Sequence, residues 1–372
     1  GPRAAAFNAA AVLQMFGFHS LAVPHAARVA VLDPSDATAL AVLTDVLSPE
    51  APLAAAEALR GVVEAQEAGL AAAGGDGAAA GMGQGRAFPL LARARHKLAV
   101  LTGQSDAPYD PQYAAQVFDA MADTFEEKLV AHLGYRLPWR FQDVVLNSLL
   151  HLPATAGAAP EGPPQDGVSL TGSPGAAEVV LREGAWADGL PPEGAWRVVD
   201  VGCGSGLCGR LFSRLTAGRG HMVGVDVSEK MVENAGRTGA YTRLVAGDAH
   251  DVLRAEAPAS LHMVVSADTF IYFRDMVEVF ELTAERLAPG GLFAFSVEDL
   301  DQAPAVPGDR AEAVARGFAL VSSGRYAHTR AYVEGLGARG GLEVLYRESV
   351  VVRTETSVPI PGLMYVLRKA AG

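Results

Sequence analysis

The chain has 372 residues, half of them hydrophobic and 19% charged, enough to bury a core in two or three units of roughly 100–200 residues each. A net charge of -12, with 42 acidic against 30 basic residues and no long basic run, disfavours binding of nucleic-acid phosphates. No run of about 18 uncharged apolar residues is present to span a membrane, and the only cysteines, Cys203 and Cys208, exclude a disulfide framework and lack local partners for a zinc site.

Residues 5 to 70 are rich in Ala, Leu and Val at helical spacing: Phe7, Val12, Leu13 and Phe16, then Leu21, Ala26, Val29 and Leu32. Pro34 and Pro49 close the second and third runs. The stretch LAVPHAARVAVLDPSDATAL resembles the second helix of a tetratricopeptide repeat and its following turn, so residues 1–70 are expected to form a degenerate, repeat-like helical region. Residues 71–87 read as a Gly/Ala linker and FPLLARARHKLAVLTG as another amphipathic helix. Residues 109–150 read as a helical lead-in, and 154–190, dense in Pro, Gly and Ala, as a flexible insertion.

From about residue 196 strand-like runs alternate with helical ones. The strands are expected at 196–202, 221–226, 242–248, 261–268 and 291–298, with helices over 207–216, 229–236 and 274–288 among them. Apolar strands separated by helices imply a parallel sheet covered on both faces. The last two β-rich runs, 341–353 and 362–369, have only a short Pro/Gly connection between them and must pair antiparallel.

The sharpest local signal is VVDVGCGSGLCG. Gly202, Gly204 and Gly206 follow a strand and open a helix, where backbone N–H groups can approach a ligand. Gly204, Gly206 and Gly209 also satisfy the dinucleotide pattern G-x-G-x-x-G, so the loop alone does not decide between ligands. The acids around it do. Asp200 inside the strand would repel a pyrophosphate but suits an ammonium group. Asp226 closes the second strand, 20 residues after Gly206, where it can accept from both ribose hydroxyls. Asp248 and Asp268 close the third and fourth strands, and no phosphate-directed Lys or Arg lies near the loop. A ligand with amino, ribose and adenine groups fits this rim better than NAD.

The segments VVDVGCGSG, VGVDVSEKMVENA, AGDAHDV and ERLAPGGLFAFSVED resemble the S-adenosylmethionine-dependent methyltransferases of the Rossmann-like class. VFDAMADTFEEKLVAHLGYRLP, VVSADTFIYF and SGRYAHTRAYVEGL resemble predicted members of that class with N-terminal tetratricopeptide-like repeats. The resemblance implies an α/β fold, a mostly parallel sheet with an antiparallel last strand, with residues 88–372 as its domain. It implies that Gly202, Cys203, Gly204 and Gly206 surround the methionine part of S-adenosylmethionine, with Asp200 near its ammonium. Asp226 would bind the ribose, Val227 and Met231 would lie near the adenine, Asp248 would meet the adenine amino group, and Ala249 would supply a backbone contact. Many relatives carry Tyr-Asp where this chain has Phe118-Asp119 and Phe125-Glu126, which removes two hydroxyls and leaves Phe118 and Phe125 as walls.

Methyl transfer from a sulfonium needs positioning more than acid–base help. Asp268 (placed on the cofactor side as well), Tyr272 and His328 are the expected acceptor-side residues, with Arg325 as an anchor for an acidic group. Glu298 and Asp299, after the fifth strand, are further candidates; Cys203 and Cys208 read as packing residues. The expected acceptor is a small molecule or a protein side chain, because no adenine-, glutamine- or cytosine-methylating signature follows the fourth strand. A soluble, intracellular protein without a metal site is expected. The N-terminal helices are the surface expected to meet a protein partner, and a cofactor-binding scaffold or assembly factor is the competing reading. An NAD(P)-dependent oxidoreductase rests only on the overlapping glycine pattern.

Overall fold

The computed structural model describes residues 1–72, 90–108, 110–127, 135–150, 180–181, 190–303, 306, 308–355 and 358–370. The expected linker at 71–87 and insertion at 154–190 therefore lie outside the described residues, apart from Ala71, Ala72, Val180, Leu181 and Leu190. The chain forms two compact units. One comprises Gly1–Tyr113 with Ala305–Arg310 and Leu320–Gly324; the other comprises Ala114–Pro304, Ala311–Ala319 and Arg325–Gly372.

The first unit is helical. Its elements are α1 (Pro2–Met15), α2 (His19–Leu32), α3 (Ala37–Ala41) running into a wide turn Val42–Leu47, α4 (Pro52–Ala72) and α5 (Leu91–Leu101). Asp36 starts α3 by accepting a hydrogen bond from the Ala39 N–H at 2.9 Å. Ala22, Ala26 and Ala30 repeat every four residues along α2 and share one hydrophobic cluster with Leu40, Leu43, Leu59 and Val62. Leu91 and Ala94 of α5 belong to the same cluster. Residues 90–108 and 110–113 thus group with the N-terminal helices, whose core the apolar face of α5 completes. Two later segments join them: Leu320 N–H donates to the Ser105 carbonyl at 2.8 Å, and the His96 ring bonds the Gly324 carbonyl at 2.6 Å while stacking on Tyr113.

The second unit holds most of α6 (Pro111–Met121) and all of α7 (Leu137–Gln142). Its strands are β1 (Val180–Leu181), β2 (Arg197–Val201), β3 (His221–Asp226), β4 (Arg243–Ala246), β5 (Leu261–Ser266), β6 (Leu287–Asp299), β7 (Phe318–Leu320), β8 (Tyr326–His328), β9 (Leu342–Glu355) and β10 (Val358–Lys369). The helices are α8 (Leu207–Thr216), α9 (Glu229–Gly236), α10 (Ala249–Ala255), α11 (Val277–Arg286), α12 (Arg310–Arg316) and α13 (Arg330–Arg339). The main sheet runs β1-β9-β10-β6-β5-β2-β3-β4. Its β6-β5-β2-β3-β4 part is parallel, and β10 is antiparallel to both β6 and β9, as the short connection before it requires. The three-residue strands β7 and β8 pair with each other, and β8 continues parallel to the end of β6. These two, β1 and α12 are elements the sequence did not announce.

Alternation along β6 and β10 builds both layers of core. Phe293, Phe295, Val297, Leu363 and Tyr365 face a cluster with Phe270, Phe280 and Val333, whereas Leu292, Ala294, Met364 and Val366 face one with Phe141, Phe212 and Met263. The chain winds β2 to β3 to β4, then returns to place β5 on the other side of β2. That reversal opens a crevice at the carboxyl ends of β2 and β5, the place where open α/β sheets take ligands.

Candidate functional site

The glycine loop leaves β2 with three left-handed residues, Gly202 (φ 70°), Gly204 (φ 51°) and Gly206 (φ 90°). Gly202 has a steric reason besides its angle: a Cβ there would lie 2.1 Å from Thr269 Oγ1, which itself donates to the Val201 carbonyl at 3.2 Å. Gly206 begins α8 without offering it a side-chain cap. The Gly204 N–H donates to Asp226 Oδ2 at 3.0 Å, and the Ser228 N–H donates to Oδ1 at 2.9 Å. Burial raises the Asp226 carboxyl above its ordinary value, and these two backbone donors work against that rise.

Asp200 is buried beneath the loop and accepts a hydrogen bond from Tyr241 Oη at 2.7 Å. Burial pushes its carboxyl up to about 7, against the lowering effect of that hydroxyl. Cys203 and Cys208 are buried thiols whose ionisation is pushed well up, consistent with packing roles. Met231 and Ala249 are buried and Val227 is half-buried, all beyond the end of β3 or β4. Asp248 caps α10, accepting from the His250 N–H at 2.7 Å and meeting its ring Nδ1 at 2.7 Å. The His250 ring holds the Asp248 carboxyl below its usual range, and Asp248 in turn raises His250.

The lead-in helix covers this loop. Asp119 accepts from Ser228 Oγ at 2.5 Å, the Ala122 carbonyl accepts from Asn234 at 3.0 Å, and Glu126 accepts from Ser205 Oγ at 2.8 Å and from Arg210 at 3.0 Å. These bonds set Phe125 within 3.6 Å of the position a Gly204 Cβ would take. Phe118 meets Phe125 and Tyr272 edge-on, with ring centroids 5.9 and 5.3 Å apart. Phe125 lines the loop, Phe118 packs behind it, and Tyr272 is buried beside Phe118.

A second group gathers beyond β5. Asp268 has φ 55°, donates its N–H to Ser296 Oγ at 2.9 Å, and accepts from Arg353 at 3.1 Å. Arg353 also donates to Glu298, and both of these side chains are 3% exposed. Burial raises the Glu298 carboxyl, while Arg353 and, through the electrostatic field, Arg325 lower it. Tyr135 is buried near the same charges; burial first, then Asp268 and Asp200, push its phenol well up. Asp299 turns away to accept from the Asp301 N–H and from Gln302, both at 2.9 Å.

The structure therefore brings Asp268, Tyr272, Asp200, Asp226 and the loop glycines to one rim. It places His328 differently: fully buried on β8, its ring stacked 6.0 Å from Tyr332 and tilted 6.5 Å from Phe318. Burial lowers its pKa to about 4, so the imidazole is neutral at pH 7. Sequence reasoning missed Arg353, Tyr135 and Tyr241, which lie outside the glycine loop and strand-end pattern. Among the described residues no group of three His, Cys, Asp or Glu could hold a metal ion, and no helix is long and apolar enough to cross a membrane.

Residues 198–291, from β2 to the start of β6, match a family model described as a methyltransferase domain. Over 123 residues the chain is 32% identical to a ubiquinone biosynthesis O-methyltransferase of Paracidovorax citrulli, a match that covers 31% of this chain and 49% of the relative. The chain thus spans about half the length of the curated relative it matches. A similar solved structure is an S-adenosylmethionine-dependent methyltransferase of Methanosarcina mazei, at 15% identity and TM-score 0.39, covering 49% of this chain and 95% of that one. Another, from Mesorhizobium loti, is 24% identical with TM-score 0.35, covering 50% of this chain and 95% of that one.

The mixed sheet and its glycine loop agree with the methyltransferase domain whose model matches residues 198–291. The matched residues all lie in the second unit.

Proposed function

We propose that the whole chain transfers a methyl group from S-adenosylmethionine to a small-molecule or protein acceptor by in-line displacement. The observation that supports this most is the Asp226 carboxylate, already fixed by the Gly204 and Ser228 N–H groups at the tip of β3. Each of its oxygens keeps a lone pair for one ribose hydroxyl, so the group is oriented before the ligand arrives. Asp200 beneath the loop suits an ammonium, and the cradle at Gly204 leaves room for backbone contact with the methionine part. Met231, Val227, Ala249 and Asp248 complete the adenine side. The bound cofactor supplies an activated methyl group; Phe118, Phe125 and Tyr272 exclude water from its path. Asp268 is the proposed acceptor-side polar group. His328, buried and neutral, is assigned a supporting place behind that rim.

Asp226→Ala is expected to weaken S-adenosylhomocysteine binding about 10- to 150-fold in calorimetry, the effect of losing hydrogen bonds to a charged acceptor at about 1.5–3 kcal/mol. Unchanged affinity would remove Asp226 from the ribose site. A second reading has its own support. Met15, Phe16 and Leu53 of the helical unit are 75%, 67% and 86% exposed, which favours a partner-binding role for the repeat-like region. Wild-type protein that binds no adenosyl ligand would make that role the main one.

A further inference from the structure

Tyr241 stands just before β4, in none of the segments that announced the site. Its ring occupies space that three glycines leave open. A Cβ on Gly206 would lie 3.2 Å from Tyr241 Cε2, one on Gly224 would lie 2.8 Å from Cε1, and one on Gly209 would lie 2.3 Å from Cζ. The third glycine of the G-x-G-x-x-G pattern is thus explained by a tyrosine and not by a pyrophosphate.

The hydroxyl of that ring has two partners. It donates to Asp200 Oδ2 at 2.7 Å and accepts from the Gly209 N–H at 3.1 Å. Gly209 is the third residue of α8, so its N–H is one of the donors that a helix start leaves without an internal partner. The starting residue, Gly206, has no side chain to satisfy it. Tyr241 does so from the segment before β4, and passes the polarity of the helix terminus on to the buried carboxylate.

We propose that Tyr241 is a positioning residue for cofactor binding: it holds the Asp200 carboxylate in place for the ammonium of the methionine part and ties it to the start of α8. The proposal rests on the reading of Asp200 as the ammonium contact. The titratable groups around Asp200 are Tyr241, Asp226, Cys203, Cys208 and Tyr135. Of these, the Tyr241 hydroxyl lowers the Asp200 pKa, whereas burial and Asp226 raise it. Removing the hydroxyl moves ionisation of Asp200, and with it the gain in affinity for an ammonium ligand, to higher pH.

The test is Tyr241→Phe, which keeps the ring between the glycines and removes only the hydroxyl. Its binding of S-adenosylhomocysteine and of 5′-methylthioadenosine, which has the adenosine but no amino-acid part, is measured by calorimetry from pH 6 to 9. The expected result is about tenfold weaker S-adenosylhomocysteine binding at pH 7, with the affinity profile moved to higher pH. Affinity for 5′-methylthioadenosine stays within about twofold. Gly209→Ala, which keeps the hydroxyl but drives the ring off its seat, should give the same selective loss. Equal losses for both ligands in both variants, or an unmoved pH profile in Tyr241→Phe, would overturn the proposal. Wild-type protein that binds 5′-methylthioadenosine and S-adenosylhomocysteine equally well would instead remove the Asp200 reading beneath it.

Discussion

Replacing Arg353 by Met is expected to destabilise the second unit by about 3–5 kcal/mol at pH 7, the cost of leaving a buried charge without its partner. Arg353 and Glu298 are each 3% exposed, and the same guanidinium also holds Asp268. Methionine fills much of the volume but removes the guanidinium that Asp268 and Glu298 share. The pH dependence gives the effect its signature. Burial already raises the Glu298 carboxyl above its ordinary value, so between the unfolded and the folded values the folded state binds more protons than the unfolded one. Stability from this group therefore falls as pH rises and recovers as pH falls. Without Arg353 the folded value climbs further, and the deficit of the variant narrows from pH 7 toward about pH 5. Urea unfolding followed by tryptophan fluorescence reads this directly, because Trp196 belongs to the core of the second unit and Trp139 packs against it. A deficit that stays constant with pH would show that Glu298 is not the group left exposed to the loss.

Gly202→Ala should cost about 2–5 kcal/mol by the same measurement, from two sources. A left-handed backbone costs a non-glycine residue about 1–2 kcal/mol, and forced overlap in a packed region costs about 1–3 kcal/mol more. The overlap is concrete: the new methyl would sit 2.1, 2.4 and 2.8 Å from Thr269 Oγ1, Cγ2 and Cβ. Gly239→Ala provides the control, since Gly239 has φ 67° and a methyl added there would meet nothing within 4 Å. It should lose only the backbone part, about 1–2 kcal/mol. Equal losses at the two positions would mean that Thr269 moves aside freely and that the loop is not held against it.

The sheet was legible because each parallel strand carries its own local marks: β-branched runs such as Val198-Val199 and Val264-Val265, closed by an acid or a small residue and followed by a helix. Their carboxyl ends must share a rim once the sheet is parallel, so Asp200, Asp226 and Asp268 could be grouped from one dimension alone. Contacts set by strand order could not. Arg353 reaches Asp268 across 85 positions of chain, and Tyr241 reaches Asp200 across 41, with no local pattern at either end. The three-residue strand that carries His328 is too short for periodicity to mark. His328 in GRYAHTR therefore reads as an acceptor-side residue, whereas its ring, near Phe318 and Tyr332, is fully buried. The placement of α5 could not be read for another reason: an amphipathic helix shows that it has an apolar face, but not which core that face completes.

The helical unit is not completed by the N-terminal stretch of chain alone. It is completed by two stretches, Ala305–Arg310 and Leu320–Gly324, that the chain supplies only after β6 has been laid down. A nascent chain that has emerged only as far as Tyr113 still lacks the Leu320 N–H for Ser105 and the Gly324 carbonyl for His96. The helices must wait, part-finished, through most of the synthesis of the strand-rich half. Transplanting residues 1–113 onto another protein would move an unfinished body, and deleting them would strand its two missing pieces in the chain that remains.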